Sequence, residues 1–294
     1  MELSDLKVFL TVAEQGGISR AANVLHRVPS NITARIQKLE SELNQELFIR
    51  EKNRLKISAS GEQLLDYAKR ILSLANQALE ELNNEAPSGL LKVGCMEAVA
   101  ASRLSPVLVD YHKLHPEVEL EIMTSPTGLL IEQVLAGEQD LALVADPAED
   151  DRLASYPVFQ ERLVMVSGAA LAEVSHPDQL GTNPTMLGFS SQCAYRNRLN
   201  QWLQQGKGLA KVLEINSYHT LLNCVTAGMG VGLVPEKLLE LYPFKEGLNT
   251  HQLPEDISHS VTHAIWRKDN QRPSVQAFYA VLKAASNLNL SNQS

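Results

Sequence analysis

Asn31, Thr33, Arg35 and Lys38 recur along one short helical stretch, on the side opposite its apolar residues, and Lys52, Asn53 and Arg54 cluster soon after. Amides, hydroxyls and long cations of this kind reach phosphates and base edges in a duplex groove. Ser19, Arg20, Arg27, Pro29, Ser30 and Arg50 surround them. A second set lies far downstream, at the ends of strand-like apolar runs. It comprises Met96-Glu97-Ala98, Thr124-Ser125-Pro126, the run Ser190–Arg196 with Cys193, Tyr195 and Arg196, and Ser217-Tyr218. Free N–H groups and hydroxyls at such places suit small polar ligands. Singly, Thr124, Ser125 and Ser191 have the composition of helix caps; their joint placement at strand ends is what suggests a site. Glu97 and Arg196 together would suit a ligand bearing both an amine and an acid, an amino-acid-like or carboxylate metabolite. Cys193, near a helix start and beside Arg196, has two features that lower a thiol pKa.

Chemistry of other kinds finds no support. No G-x-S-x-G, H-E-x-x-H or P-loop pattern occurs, so no catalytic residues and no cofactor are expected. Gly228-Met229-Gly230-Val231-Gly232 follows a helix and enters a strand, the wrong order for a dinucleotide loop. His112 and His115 share a helix face, but they lack acidic or cysteine partners and Pro116 follows, which reads as a helix end and not a metal site. Cys95, Cys193 and Cys224 are widely spaced and make neither a disulfide framework nor a zinc pattern.

The elements that position the first set lie in residues 1–58. A helix burying Leu6, Phe9, Leu10 and Ala13, capped by Ser4 or Asp5, stops at Gly16-Gly17. Two short amphipathic helices follow, beginning at Ser19 and Ser30. Ala21, Ala22 and Leu25 share one face; Ile32, Ile36, Leu39 and Leu43 recur at helical spacing. Small Ala21 and Ala22 permit the close approach of a helix-turn-helix. Asn44 suits a left-handed cap. Two short strands, Leu47–Arg50 and Leu55–Ile57, make a hairpin with Lys52, Asn53 and Arg54 at its tip, suited to backbone or minor-groove contact.

The runs S-x-A-A-x-x-L from Ser19, L-E-x-x-L from Leu39, L-F-x-R from Leu47 and S-A-S-G from Ser58 resemble the N-terminus of LysR-type transcriptional regulators. Their turn usually reads Ser-Gln-Pro or Ser-Gln-Ser, with a Gln that contacts bases. Here Val28, Pro29 and Ser30 stand there, so the base code differs from the common one. The resemblance implies an α/β protein with a winged helix-turn-helix head of all-α type and a two-lobed, type 2 periplasmic-binding-protein-like α/β domain. It also implies double-stranded DNA as partner, a small-molecule effector between the lobes, and a homodimer or homotetramer. Cys193-x-x-Arg196 is similar to the setting in peroxide-sensing members, but no resolving cysteine precedes Cys224. A thiol-responsive regulator, a solute-binding module without DNA function and an enzyme on an α/β scaffold are the competing readings.

A stripe of Leu64, Leu65, Ala68, Ile71, Leu72, Ala75, Leu79 and Leu82 marks a linker helix at 59–86, expected to pair with its copy in a second chain. Glu85-Ala86-Pro87-Ser88-Gly89 reads as a hinge. Alternating strand and helix patterns fill 87–294, with lobe I at about 87–159 and 265–294 and lobe II at about 160–264. The tail from Asn287 is polar. The chain of 294 residues is 44% hydrophobic and carries a net charge of −8. That total argues against nucleic acid, but the first sixty residues hold nine basic and seven acidic side chains, a local +2. No signal-peptide pattern or spanning apolar run is visible, so a cytoplasmic protein with no membrane partner is expected.

Overall fold

The computed structural model describes residues 1–51, 54–82, 86–243 and 245–291, without the side chains of Arg50, Arg54, Gln77, residues 80–82 and residues 287–291. The chain divides into two compact units, Met1–Asn84 with Ala136–Glu138, and Glu85–Leu135 with Gln139–Ser294.

In the first unit, α1 (Leu3–Gln15) ends at Gly16, whose φ of 61° places it in the left-handed region that glycine tolerates. The helices α2 (Ile18–Val24) and α3 (Pro29–Leu43) follow, with Ala21 and Ala22 fully buried between them and their neighbours. Pro29 occupies the first turn of α3, where its missing N–H costs nothing. Asn44 ends α3 at φ 49°, the left-handed cap its side chain suggests. The hairpin of β1 (Phe48–Glu51) and β2 (Arg54–Ile57) pairs antiparallel, and α4 (Ala59–Leu82) completes the unit. Glu40 Oε1 accepts the N–H groups of Leu47 and Phe48, fixing the hairpin to α3. Gly61 lies so close to the Leu47 carbonyl that a Cβ there would meet its oxygen at 2.3 Å.

Two expectations change here. Neither Ser4 nor Asp5 caps α1; its N-cap is Glu2, and Asp5 lies inside the helix, 1% exposed. The α4 stripe does have a partner within its own unit. Ala68 is fully buried in the head core, and Leu64, Leu65, Ile71 and Leu72 pack against that core. Tyr67, Leu74 and Leu79 remain more than half exposed.

The second unit opens with Gly89 at φ 75°. Its first strands are β3 (Gly89–Cys95), β4 (Val118–Thr124) and β5 (Leu141–Ala145). They run parallel, joined by crossovers through intervening helices. Those helices are α5 (Glu97–Val99), continued through a π-helical turn at Ala100–Leu104 into α6 (Ser105–Leu114), and α7 (Thr127–Ala136). The 16-residue β6 (Leu153–Gly168) then runs through both lobes. Lobe II adds β7 (Thr185–Gly188), α8 (Ala194–Leu203), β8 (Lys211–Glu214), α9 (Tyr218–Thr226), β9 (Gly232–Pro235) and α10 (Glu236–Glu240). The segments β10 (Leu248–His251), α11 (Glu255–Ser258) and β11 (His259–Arg267) lead back to lobe I, where α12 (Pro273–Ser291) packs.

The main sheet has the order β10-β6-β11-β5-β3-β4, with β9 also on β6; β7 and β8 form a separate parallel pair. β11 pairs with β6 along its whole length, and the register shifts between Thr262 and His263. Within β6, Glu161 falls in an otherwise mostly apolar stretch. It is 4% exposed, its carboxylate held by Arg103 Nε at 2.9 Å. Among the described residues no helix is long and apolar enough to cross a membrane.

Candidate functional site

The inner face of α3, Ile32, Ile36 and Leu39, is buried in the head core. Pro29, Ser30, Asn31, Ala34, Gln37 and Lys38 are exposed, as are Ser19, Arg20 and Arg27 beside them. Arg27 Nη1 donates to Asn31 Oδ1 at 3.3 Å, and Arg20 Nη2 to the Gly16 carbonyl at 3.0 Å. Thr33 is half-buried and donates to the Pro29 carbonyl.

Arg35 departs from expectation. It stands on the flank of α3 that faces α1, and its Nη1 bonds Asp5 Oδ1 at 2.6 Å and Ser4 Oγ at 2.8 Å. Lys38 Nζ reaches the other Asp5 oxygen at 3.2 Å and Glu2 at 2.7 Å. Burial pushes the Asp5 carboxyl up, but the hydrogen bonds from Lys38 and Arg35 outweigh it and hold the group below the usual carboxylate range. The side chains turned furthest from the core are Ser30, Ala34 and Gln37. Counting 100° per residue from Ile32 would have found Ala34 and Gln37. Of the expected hairpin contacts, Lys52 and Asn53, with the side chains of Arg50 and Arg54, lie outside the described residues.

A cavity of about 400 Å³ opens between the lobes of the second unit. Met96, Glu97, Thr124, Ser125, Pro126, Cys193, Tyr195 and Tyr218 line it, each near the carboxyl end of a strand or the start of a helix. Three expected residues do not. Ala98 points into the core at 1% exposure. Ser217 caps α9, its Oγ accepting the Thr220 N–H. Arg196 turns away, its Nη1 donating to the Phe189 carbonyl at 2.7 Å and to Glu214 Oε2 at 3.0 Å. Phe189, Glu214 and Asn216 join the wall from the ends of β7 and β8, where no turn or cap pattern marks them.

The Glu97 Oε1 accepts the Tyr218 N–H at 3.2 Å, and Gly128 N–H donates to the Gln192 carbonyl at 3.1 Å, so both lobes meet at the cavity. Burial raises the Glu97 pKa, offset in part by that backbone hydrogen bond. Burial likewise raises the phenols of Tyr195 and Tyr218, which stay neutral. The rings of Phe189 and Tyr218 pack with centroids 4.7 Å apart. Cys193 is not the activated thiol its neighbours suggest. Burial raises its pKa, and the nearby N–H groups of Arg196 and Tyr195 only reduce the rise. Cys95 is pushed up to about 12 by burial.

Comparison with known proteins gives two family matches. Residues 3–62 match the bacterial regulatory helix-turn-helix protein, lysR family, and residues 84–287 match the LysR substrate binding domain. The chain is 38% identical over 272 residues to the HTH-type transcriptional regulator YusT of Bacillus subtilis (strain 168), covering 92% of this chain and 91% of that one. It is 35% identical over 293 residues to the HTH-type transcriptional regulator CzcR of Bacillus anthracis, covering 99% and 100%. The fold matches that of full-length CbnR, solved in complex with its target DNA. The TM-score is 0.68 at 19% identity, covering 97% of this chain and 100% of that one.

Proposed function

Because this chain belongs to the LysR family, a DNA-binding transcription regulator with an effector-binding domain, we propose that α3 is its reading helix and the cavity between the lobes its effector site. The observation that carries the first half is the outward row of α3. Ser30, Asn31, Ala34 and Gln37 meet base edges in the major groove, while Ser19, Arg20, Arg27, Pro29 and Thr33 hold the adjoining backbone. The hairpin residues Arg50, Lys52, Asn53 and Arg54 take the flanking phosphates. Arg35 is a positioning residue: its pair with Asp5 sets how α3 stands on α1.

Residues 1–58 form the head, 59–86 the linker and 87–294 the effector domain. Tyr67, Leu74 and Leu79, exposed on α4, pair with the same helix of a second copy. The heads then meet half-sites ~34 Å apart or at multiples of that spacing. The protein works as a cytoplasmic regulator and not as an enzyme. Footprinting on the DNA upstream of its own gene tests the reading. A protected, salt-sensitive site that Gln37→Ala and Asn31→Ala weaken is expected; equal, feeble retention of every duplex would sink it.

A further inference from the structure

The side chains and N–H groups around the interlobe cavity sort themselves by charge. Two carboxylates, Glu97 and Glu214, line it, and among the described lining residues none is Lys, Arg or His. The Arg196 guanidinium, bonded to two lining residues, is spent on Glu214 and the Phe189 carbonyl. Several backbone donors at the cavity are also taken. At the start of α9 the Tyr218 N–H goes to Glu97 and the Thr220 N–H to Ser217. At the start of α7 the Gly128 N–H goes to the Gln192 carbonyl.

What the cavity still offers is hydroxyl, carboxylate and π surface. Among the described residues Glu97 has no cationic partner, unlike Glu214, and its burial penalises the bare charge. Ser190 Oγ on the wall is buried with no hydrogen-bond partner among the described residues. The Phe189 and Tyr218 rings provide faces that attract a desolvated cation. An ammonium group would supply the countercharge Glu97 lacks and give Ser190 a donor. A carboxylate would meet two like charges and no cationic side chain among the described lining residues.

We propose that the effector of this protein is a small organic cation, an amine with a compact apolar body, whose ammonium group is received by Glu97. This rests on the cavity being the effector site, and it names the chemical class that site takes.

Thermal shift and calorimetry on the full-length protein test it, with three matched probe sets. Benzylamine, phenethylamine and tyramine are the cations; benzoate, phenylacetate and 4-hydroxyphenylacetate the anions; benzyl alcohol and phenethyl alcohol the neutral controls. At least one amine is expected to raise the melting temperature while its carboxylate counterpart does not. Glu97→Gln, which keeps an acceptor for the Tyr218 N–H, is expected to weaken that amine by about tenfold or more. Binding of carboxylates or alcohols without amines would overturn the cationic class and leave the effector site standing. No shift from any probe of any charge would count against both. Amine binding indifferent to Glu97→Gln would place the cation elsewhere and also overturn the proposal.

Discussion

The Glu97 carboxylate, on the first residue after the turn that ends β3, caps α9 by accepting the Tyr218 N–H at 3.2 Å. One lobe's acid thus satisfies the other lobe's helix start, at the cost of holding a half-buried charge with no cation beside it among the described residues.

That cost has a pH signature. Glu97 titrates above its ordinary value in the folded protein, so its ionisation opposes folding. The penalty is absent below the unfolded value of about 4.3, grows as pH rises to the folded value, and is complete above it. Glu97→Gln is therefore expected to raise the ligand-free melting temperature at neutral pH. The gain should disappear in acid. A pH series of melts on both proteins checks this, and a variant less stable than wild type at pH 7 would contradict it.

Asp5 has the opposite sign. Its folded pKa is depressed, so its stabilisation is present above the unfolded value of about 3.9 and is lost as pH falls through the folded one. Asp5→Asn should flatten the acid limb of head unfolding and weaken the head at neutral pH. Circular dichroism melts between acid and neutral pH read both effects.

Arg35→Ala and Gln37→Ala should fail in different ways. Removing Arg35 takes a charged partner from a buried carboxylate, destabilising the head by about 1–3 kcal/mol. Gln37→Ala leaves the melt unchanged and costs about 1–3 kcal/mol in specific binding alone. Melting curves paired with operator titrations separate the two. If Arg35→Ala melts like wild type yet loses its footprint, Arg35 is a DNA contact after all.

Leu74→Lys with Leu79→Lys, both on exposed positions of α4, should shift the protein to monomer in sedimentation. Operator affinity should fall with it, because two heads on one duplex gain from effective concentration. An unchanged oligomer would remove this face from the interface.

How far residues announced their structure depended on how local their reasons were. Asn44 was legible because a left-handed cap is a property of one residue and its own helix. So was the burial of Ala21 and Ala22. Arg35 was not: amphipathic counting gives an angle on α3, while the partner sits thirty residues earlier on α1. The burial of Glu161 within β6 was not legible either, since nothing near it in sequence signals that Arg103 neutralises it. Arg196 looked like a ligand's counter-ion because its true partner, Glu214, lies eighteen residues on, at the end of β8. Eight of the eleven residues expected at the cavity reach it, since strand ends and helix starts are local signals. Phe189, Glu214 and Asn216 follow only from how β7 and β8 are laid side by side.

The register shift between Thr262 and His263 lies within the long ribbon that both lobes share. Regular ladders on either side resist shear, since sliding would break rows of bonds together. A bulge gives way sooner, because its ladder is already interrupted and its local twist is raised. Any message passed on from the cavity by a change in lobe angle would then be written in the torsions of these two residues.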